Sequence, residues 1–114
     1  MRDDPMTYTI TPGAVNDSLV IKLVGPFTIN NMFALQAELR TIHPALAIFD
    51  LSESEYMDSA AVGTLINFYV SAEKAGRRIA LAGVNERVEA LLDLLHVKSL
   101  MRVFPTVPAA EAAE

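Results

Sequence analysis

Cysteine is absent from the chain, which removes disulfides, thiolate nucleophiles and cysteine-ligated metals from consideration and leaves nothing that calls for an oxidising compartment. Long apolar runs are absent too: stretches such as Ala45 to Phe49 fall far short of the roughly 20 residues needed to cross a bilayer. The first residues, Met1-Arg2-Asp3-Asp4-Pro5, are polar and partly acidic, unlike the basic and then apolar start of an export signal, so a cytoplasmic protein without membrane insertion is expected. Positive charge is scarce and scattered apart from Arg77-Arg78, and the net charge of −5 argues against a broad phosphate-binding face. Nucleic acid is not an expected partner. What remains, 114 residues of which 52% are hydrophobic and 20% charged, is the composition of one compact domain.

The pattern along the chain predicts an α/β fold. Thr7 to Thr11 alternates threonine with Tyr8 and Ile10, and Leu19 to Val24 is rich in branched residues, so both read as strands. The turn residues Pro12-Gly13 and Asn16-Asp17 between them predict a hairpin with a loop of about four to six residues. Asn30 or Asn31 is positioned to cap a helix with Met32, Leu35 and Leu39 on one face, ended by His43-Pro44. The unbroken run Leu46 to Phe49 suits a strand buried on both faces. A helix is expected from Ser59 to Ala75, with Val62, Leu65, Ile66, Tyr69 and Ala72 inward and Gly76 as its left-handed cap. Ile79 to Ala82 reads as a second buried strand, and Asn85 as the cap of a helix burying Val88, Leu91, Leu92 and Leu95. Arg102 to Phe104 completes the set as an edge strand. The expectation is a single domain over 1–114 with its core at about 7–104, a mixed sheet of four to five strands with three to four helices, and a tail over 105–114 that is frayed or a short helix. In such folds the strand-to-helix loops gather at one sheet edge, which directs attention to Leu51 to Asp58 and Gly83 to Asn85.

The stretch Tyr56-Met57-Asp58-Ser59-Ala60-Ala61-Val62-Gly63 carries the chemistry. Asp58 can cap the next helix, which puts the Ser59 hydroxyl in an exposed first turn beside the positive end of the helix dipole, where a phosphate is tolerated. Small residues at Ala60, Ala61 and Gly63 keep that turn low enough for another protein to approach. The plainer alternative is that Asp58 and Ser59 simply start a helix. Other chemistries find less support. Asp50, Glu53, Glu55 and Asp58 lack the glycine and alternating ligands of a calcium loop, and no acidic pair follows the first strand to make Asp50 a receiver-type phosphoacceptor. His43 and His96 fall near helix ends, where a positive charge suits the dipole. Ser59 lacks the glycine elbow of a serine hydrolase. Neither catalysis, metal nor cofactor is expected.

Taken whole, the chain from about Thr7 to Phe104 resembles the STAS domain, the family of bacterial anti-sigma factor antagonists. Gly25-Pro26-Phe27-Thr28 stands where that family has a strand ending in glycine, any residue, an aliphatic and aspartate. Phe49-Asp50-Leu51-Ser52 matches its buried strand ending in Asp-Leu, and Met57-Asp58-Ser59-Ala60-Ala61-Val62-Gly63 its Met-Asp-Ser-Ser/Thr-Gly-Leu-Gly helix start. The resemblance implies phosphorylation at Ser59, the serine directly after the aspartate. It further implies binding to an anti-sigma factor serine kinase, which releases a sigma factor until phosphorylation ends the binding. Because that partner must contact the serine, the surface expected to meet it is Thr28, Asn30, Met57, Asp58, Ser59, Ala60, Gly83, Val84 and Asn85, on a domain expected to be a monomer when free. ATP and magnesium would belong to the kinase, since no phosphate-binding glycine loop occurs here. Two positions depart from the pattern: Thr28 replaces the acidic residue, and Ala60-Ala61 replaces Ser/Thr-Gly. They leave room for a different kinase, or for a domain that binds without being phosphorylated. A second reading, from another class, is a STAS subunit clamped to the ATPase of a membrane lipid-transport complex.

Overall fold

The computed structural model describes residues 6–113, so the polar start at Met1 to Pro5 lies outside the described residues. Strands β1 (Thr7–Pro12) and β2 (Ser18–Val24) form an antiparallel hairpin in which Thr7 faces Val24 and Pro12 faces Leu19. Helix α1 (Phe33–Leu39) leads to β3 (Leu46–Glu53), α2 (Ser59–Lys74) to β4 (Arg78–Ala82), and α3 (Glu86–Leu94) to β5 (Arg102–Phe104). Each of β3, β4 and β5 pairs in parallel with the strand before it, giving a mixed sheet ordered β1-β2-β3-β4-β5, and α4 (Val107–Ala112) closes the chain. The parallel neighbours Leu46–Phe49 and Ile79–Ala82 are as the sequence predicts, and the tail takes the helical option.

The continuous apolar runs of β3 and β4 follow from what covers them. Ala47, Phe49, Leu51 and Leu81 join Leu35, Leu65, Phe68 and Leu92 of the three crossover helices in the main core. Leu46, Ile48, Ala80 and Ala82 point the other way, against Ala110 of α4. Strands added in one direction with crossovers of one hand keep their helices on one face. The opposite face is therefore left for α4. Among the described residues no helix is long and apolar enough to cross a membrane.

Three expectations change on contact with the structure. Asn30 and Asn31 do not cap α1: Met32 occupies the cap position without a side-chain bond. Asn31 instead accepts the Thr28 N–H at 2.9 Å and donates its amide to the Pro26 carbonyl at 2.7 Å, so the loop before the helix uses the polar groups. Leu95 is 38% exposed rather than buried, because α3 ends at Leu94 and His96 turns the chain through a left-handed conformation (φ 59°). The reversal delivers Val97 and Met101 to the core in its place. In α2, Ile66 and Tyr69 are half-buried while Phe68, which the helical stripe left out, is buried with its ring edge-on to Phe49 at 5.6 Å. Gly76 does cap α2 in the left-handed region at φ 75°.

Phe49 is fully enclosed at the centre of this packing. Truncation there removes both buried area and the edge-to-face contact, so Phe49→Ala is expected to cost about 3–5 kcal/mol in denaturant unfolding. Leu94→Ala, at a side chain 73% exposed, should change stability by no more than about 0.5 kcal/mol in the same measurement.

Candidate functional site

Three strand-to-helix loops meet at the carboxyl edge of the sheet, and the middle one ties the other two. On one side, an isolated parallel bridge joins Phe27 to Met57, with the Phe27 N–H donating to the Tyr56 carbonyl at 2.9 Å and the Asp58 N–H to the Phe27 carbonyl at 3.3 Å. The Ser54 hydroxyl donates to the Gly25 carbonyl at 2.8 Å and the Gly25 N–H to the Glu53 carbonyl at 2.9 Å. On the other side, the Asn85 side-chain amide donates to the Glu55 carbonyl at 3.0 Å. Gly83 sits so close to β3 that a Cβ there would come within 2.8 Å of the Ser52 Cβ, and its φ of 73° is one that side chains resist. Glycine is thus required for the third loop to close against the second.

Asp58 is the centre of the arrangement. One carboxylate oxygen accepts the Ala61 N–H at 2.9 Å, capping α2, and the other accepts the Ile29 N–H at 3.0 Å from the β2–α1 loop. Asn85 repeats the capping device at α3, its side-chain oxygen accepting the Val88 N–H at 2.8 Å. Ser59 follows Asp58 as the first residue of α2 and is exposed. Of the other expected contact residues, Asn30 and Asn85 are exposed, while Thr28, Asp58, Ala60, Gly83 and Val84 are half-buried. Met57 differs: it is buried in the main core, where it positions the backbone and cannot offer its side chain to a partner. The Thr28 hydroxyl accepts the Asn30 N–H at 3.3 Å, so the residue that replaces an acid contributes a local turn and no charge.

The sequence reading missed the apolar part of this surface. Ile29 is 51% exposed beside Asp58, and Tyr56 and Leu94 line an open groove with Asp58, Ser59, Arg87 and Leu91. Leu94 falls off the buried stripe of α3, Val88 and Leu92, and that offset was the available signal. The acidic residues of the region disperse to separate tasks. Asp50 accepts from the Ser52 hydroxyl and N–H, and Glu53 pairs with Lys22 at 2.7 Å. That Glu53 carboxylate holds the Lys22 ammonium above its ordinary range, with Asp50 adding a smaller contribution.

Because Asp58 serves two amides, its replacement should release both. Asp58→Ala is expected to cost about 1–2 kcal/mol in thermal unfolding and to accelerate hydrogen exchange at the Ile29 and Ala61 amides. Asp58→Asn has one side-chain oxygen to offer and should protect only one of the two. Unchanged exchange at both amides in Asp58→Ala would show that the loops are held by other means.

Comparison with known proteins agrees with this arrangement. The STAS domain model matches residues 6–110. A curated relative from Thermotoga maritima, named as an anti-sigma factor antagonist, is 32% identical over 60 residues, 53% of each chain. The chain thus spans about half the length of the curated relatives it matches. Among solved structures, an anti-sigma factor antagonist from Mycobacterium paratuberculosis shares the fold with a TM-score of 0.86 at 17% identity, covering 95% of this chain and 92% of its own. The STAS domain of a SulP transporter from Vibrio cholerae does so with a TM-score of 0.73 at 25% identity, over 89% and 84% of the two chains. With a five-stranded mixed sheet, four helices and a family match over nearly its whole length, this chain belongs to the STAS domain family.

Proposed function

We propose that this domain is an anti-sigma factor antagonist and that the surface around Ser59 is its switch. The observation that carries the reading is the exposure of Ser59 at the first position of α2, directly after a carboxylate locked in place by two backbone amides. Unmodified, the surface formed by Asn30, Ser59, Asn85 and the neighbouring Ile29, Tyr56 and Leu94 docks on an anti-sigma factor serine kinase. Docking occupies the kinase and frees its sigma factor. The domain itself contributes no catalysis; it offers an acceptor hydroxyl, whose oxygen takes the γ-phosphoryl group of the kinase's ATP as ADP leaves and the hydroxyl proton is lost. ATP places this exchange in the cytoplasm.

Phosphorylation adds about −1.5 to −2 charges beside Asp58. The helix dipole and the amides of the first turn favour an anion at that end, so the fold persists. Docking does not, because both negative groups would have to be desolvated against the partner. A second reading keeps the domain as a constitutive clamp on the ATPase of a membrane lipid-transport complex; its support is the likeness to a transporter's STAS domain together with Ala60-Ala61. Under it the charge at Ser59 is irrelevant.

Calorimetric titration against the partner captured from the native cell, serine kinase or transporter ATPase, separates the two. The antagonist reading expects Ser59→Ala to bind within about twofold of the unmodified protein and to resist phosphorylation. The phosphorylated form should bind about 100-fold or more weakly, a difference near 2.7 kcal/mol, and Ser59→Asp should fall between them. Thermal melts of all four forms should agree within a few degrees. Equal binding by unmodified and phosphorylated protein would overturn the switch and favour the clamp.

A further inference from the structure

Away from the Ser59 surface, α1 and α2 enclose a cleft of about 250 Å³. Its floor is Leu39, Thr64 and Phe68, all buried, and Arg77, from the loop after α2, completes the lining. The Nη1 atom of Arg77 is buried without a hydrogen-bonding partner, and among the described residues it is the only buried side-chain nitrogen or oxygen left so. Arg40 and His43 stand at the exposed rim with the polar side chains of Asn67 and Ser71. No carboxylate lines the cleft, although the chain as a whole carries a net charge of −5. Thr64, the lining residue of α2 nearest Ser59, lies about 7.5 Å along the helix and roughly 140° round it, so the cleft opens on a different face from the docking surface.

We propose that this cleft binds a small organic anion, an oxyanion head on a short apolar body. Buried polar atoms in folded proteins are almost always bonded. Arg77 therefore brings to the lining a guanidinium whose Nη1 finds no acceptor within the chain, and an anion that draws the side chain round supplies one. Arginine forks suit carboxylate and phosphate heads alike, and Arg40 gives a second cation on the approach. Leu39 and Phe68 take the apolar body. The volume lies below the range of about 300–1,000 Å³ common for drug-sized ligands, which limits the body to a short one.

The test is an amide NMR titration of the full chain with phenyl phosphate, hexanoate and inorganic phosphate. Saturable shifts are expected at Thr64, Asn67, Ser71 and Arg77 with at least one organic anion, while Ser59 and Glu86 stay unmoved. Preference for phenyl phosphate identifies a phosphate head and preference for hexanoate a carboxylate; either supports the site. Arg77→Met should weaken binding by about tenfold or more. Arg40→Gln, a change at an exposed position, should also weaken it and serves as the control if Arg77→Met disturbs the fold. Absence of saturable shifts, equal affinity in both variants, or inorganic phosphate binding as tightly as the organic anions would overturn the proposal. None of these results depends on whether Ser59 is phosphorylated.

Discussion

A single carboxylate spans the two elements on which the functional surface is built. Asp58 holds the first turn of α2 with one oxygen and the β2–α1 loop with the other. Remove it, and the serine would sit on a helix end whose neighbouring loop is held by the Phe27–Met57 bridge and the bonds at Gly25, none of which reaches Ile29 or the first turn of α2. With it, Ser59 is presented on a platform that is already ordered before a partner arrives, so little conformational entropy remains to be lost on docking. The same carboxylate makes the platform sensitive to charge. Its negative group is fixed next to the hydroxyl and cannot turn away from a phosphate placed there.

The sheet explains why the loops meet at all. Three parallel strands delivered in order bring three strand-to-helix loops to one edge, the usual place for binding sites in such folds. Small groups then let them close. Gly83 fits against Ser52 where any Cβ would collide, and Asn85 uses one side chain both to cap α3 and to reach Glu55. The fold alone does not choose between antagonist and transporter-bound roles, since both kinds of STAS domain share it. The exposed serine beside a locked acid is the feature on which the proposed antagonist role rests.

The parts of this structure that the sequence makes legible are those with one dominant local cause. Unbroken apolar runs mark β3 and β4 because both faces are covered, and Asp58, Asn85 and Gly76 mark helix ends because each meets a local backbone demand. Where two demands compete, local reading fails. Asn31 can cap a helix or brace a loop, and the loop wins through its bonds to Thr28 and Pro26. Leu95 and Val97 are both suited to the core, and the turn at His96 selects Val97. Met57, expected on the surface, is buried where its backbone bridges to Phe27, and Ile29, Tyr56 and Leu94 supply the apolar rim in its stead. Arg77 and Arg78 look alike in sequence, yet Arg77, with one nitrogen buried, is the one that lines the cleft between α1 and α2.

The central claim is that phosphate on Ser59 and possession of the partner exclude one another. Quantitative mass spectrometry of the protein isolated from its native cell, separated into partner-bound and free fractions, measures this directly. The account predicts phosphorylated Ser59 in the free fraction and unmodified Ser59 in the complex. Equal occupancy of Ser59 in both fractions, or an unmodified serine throughout, would contradict it.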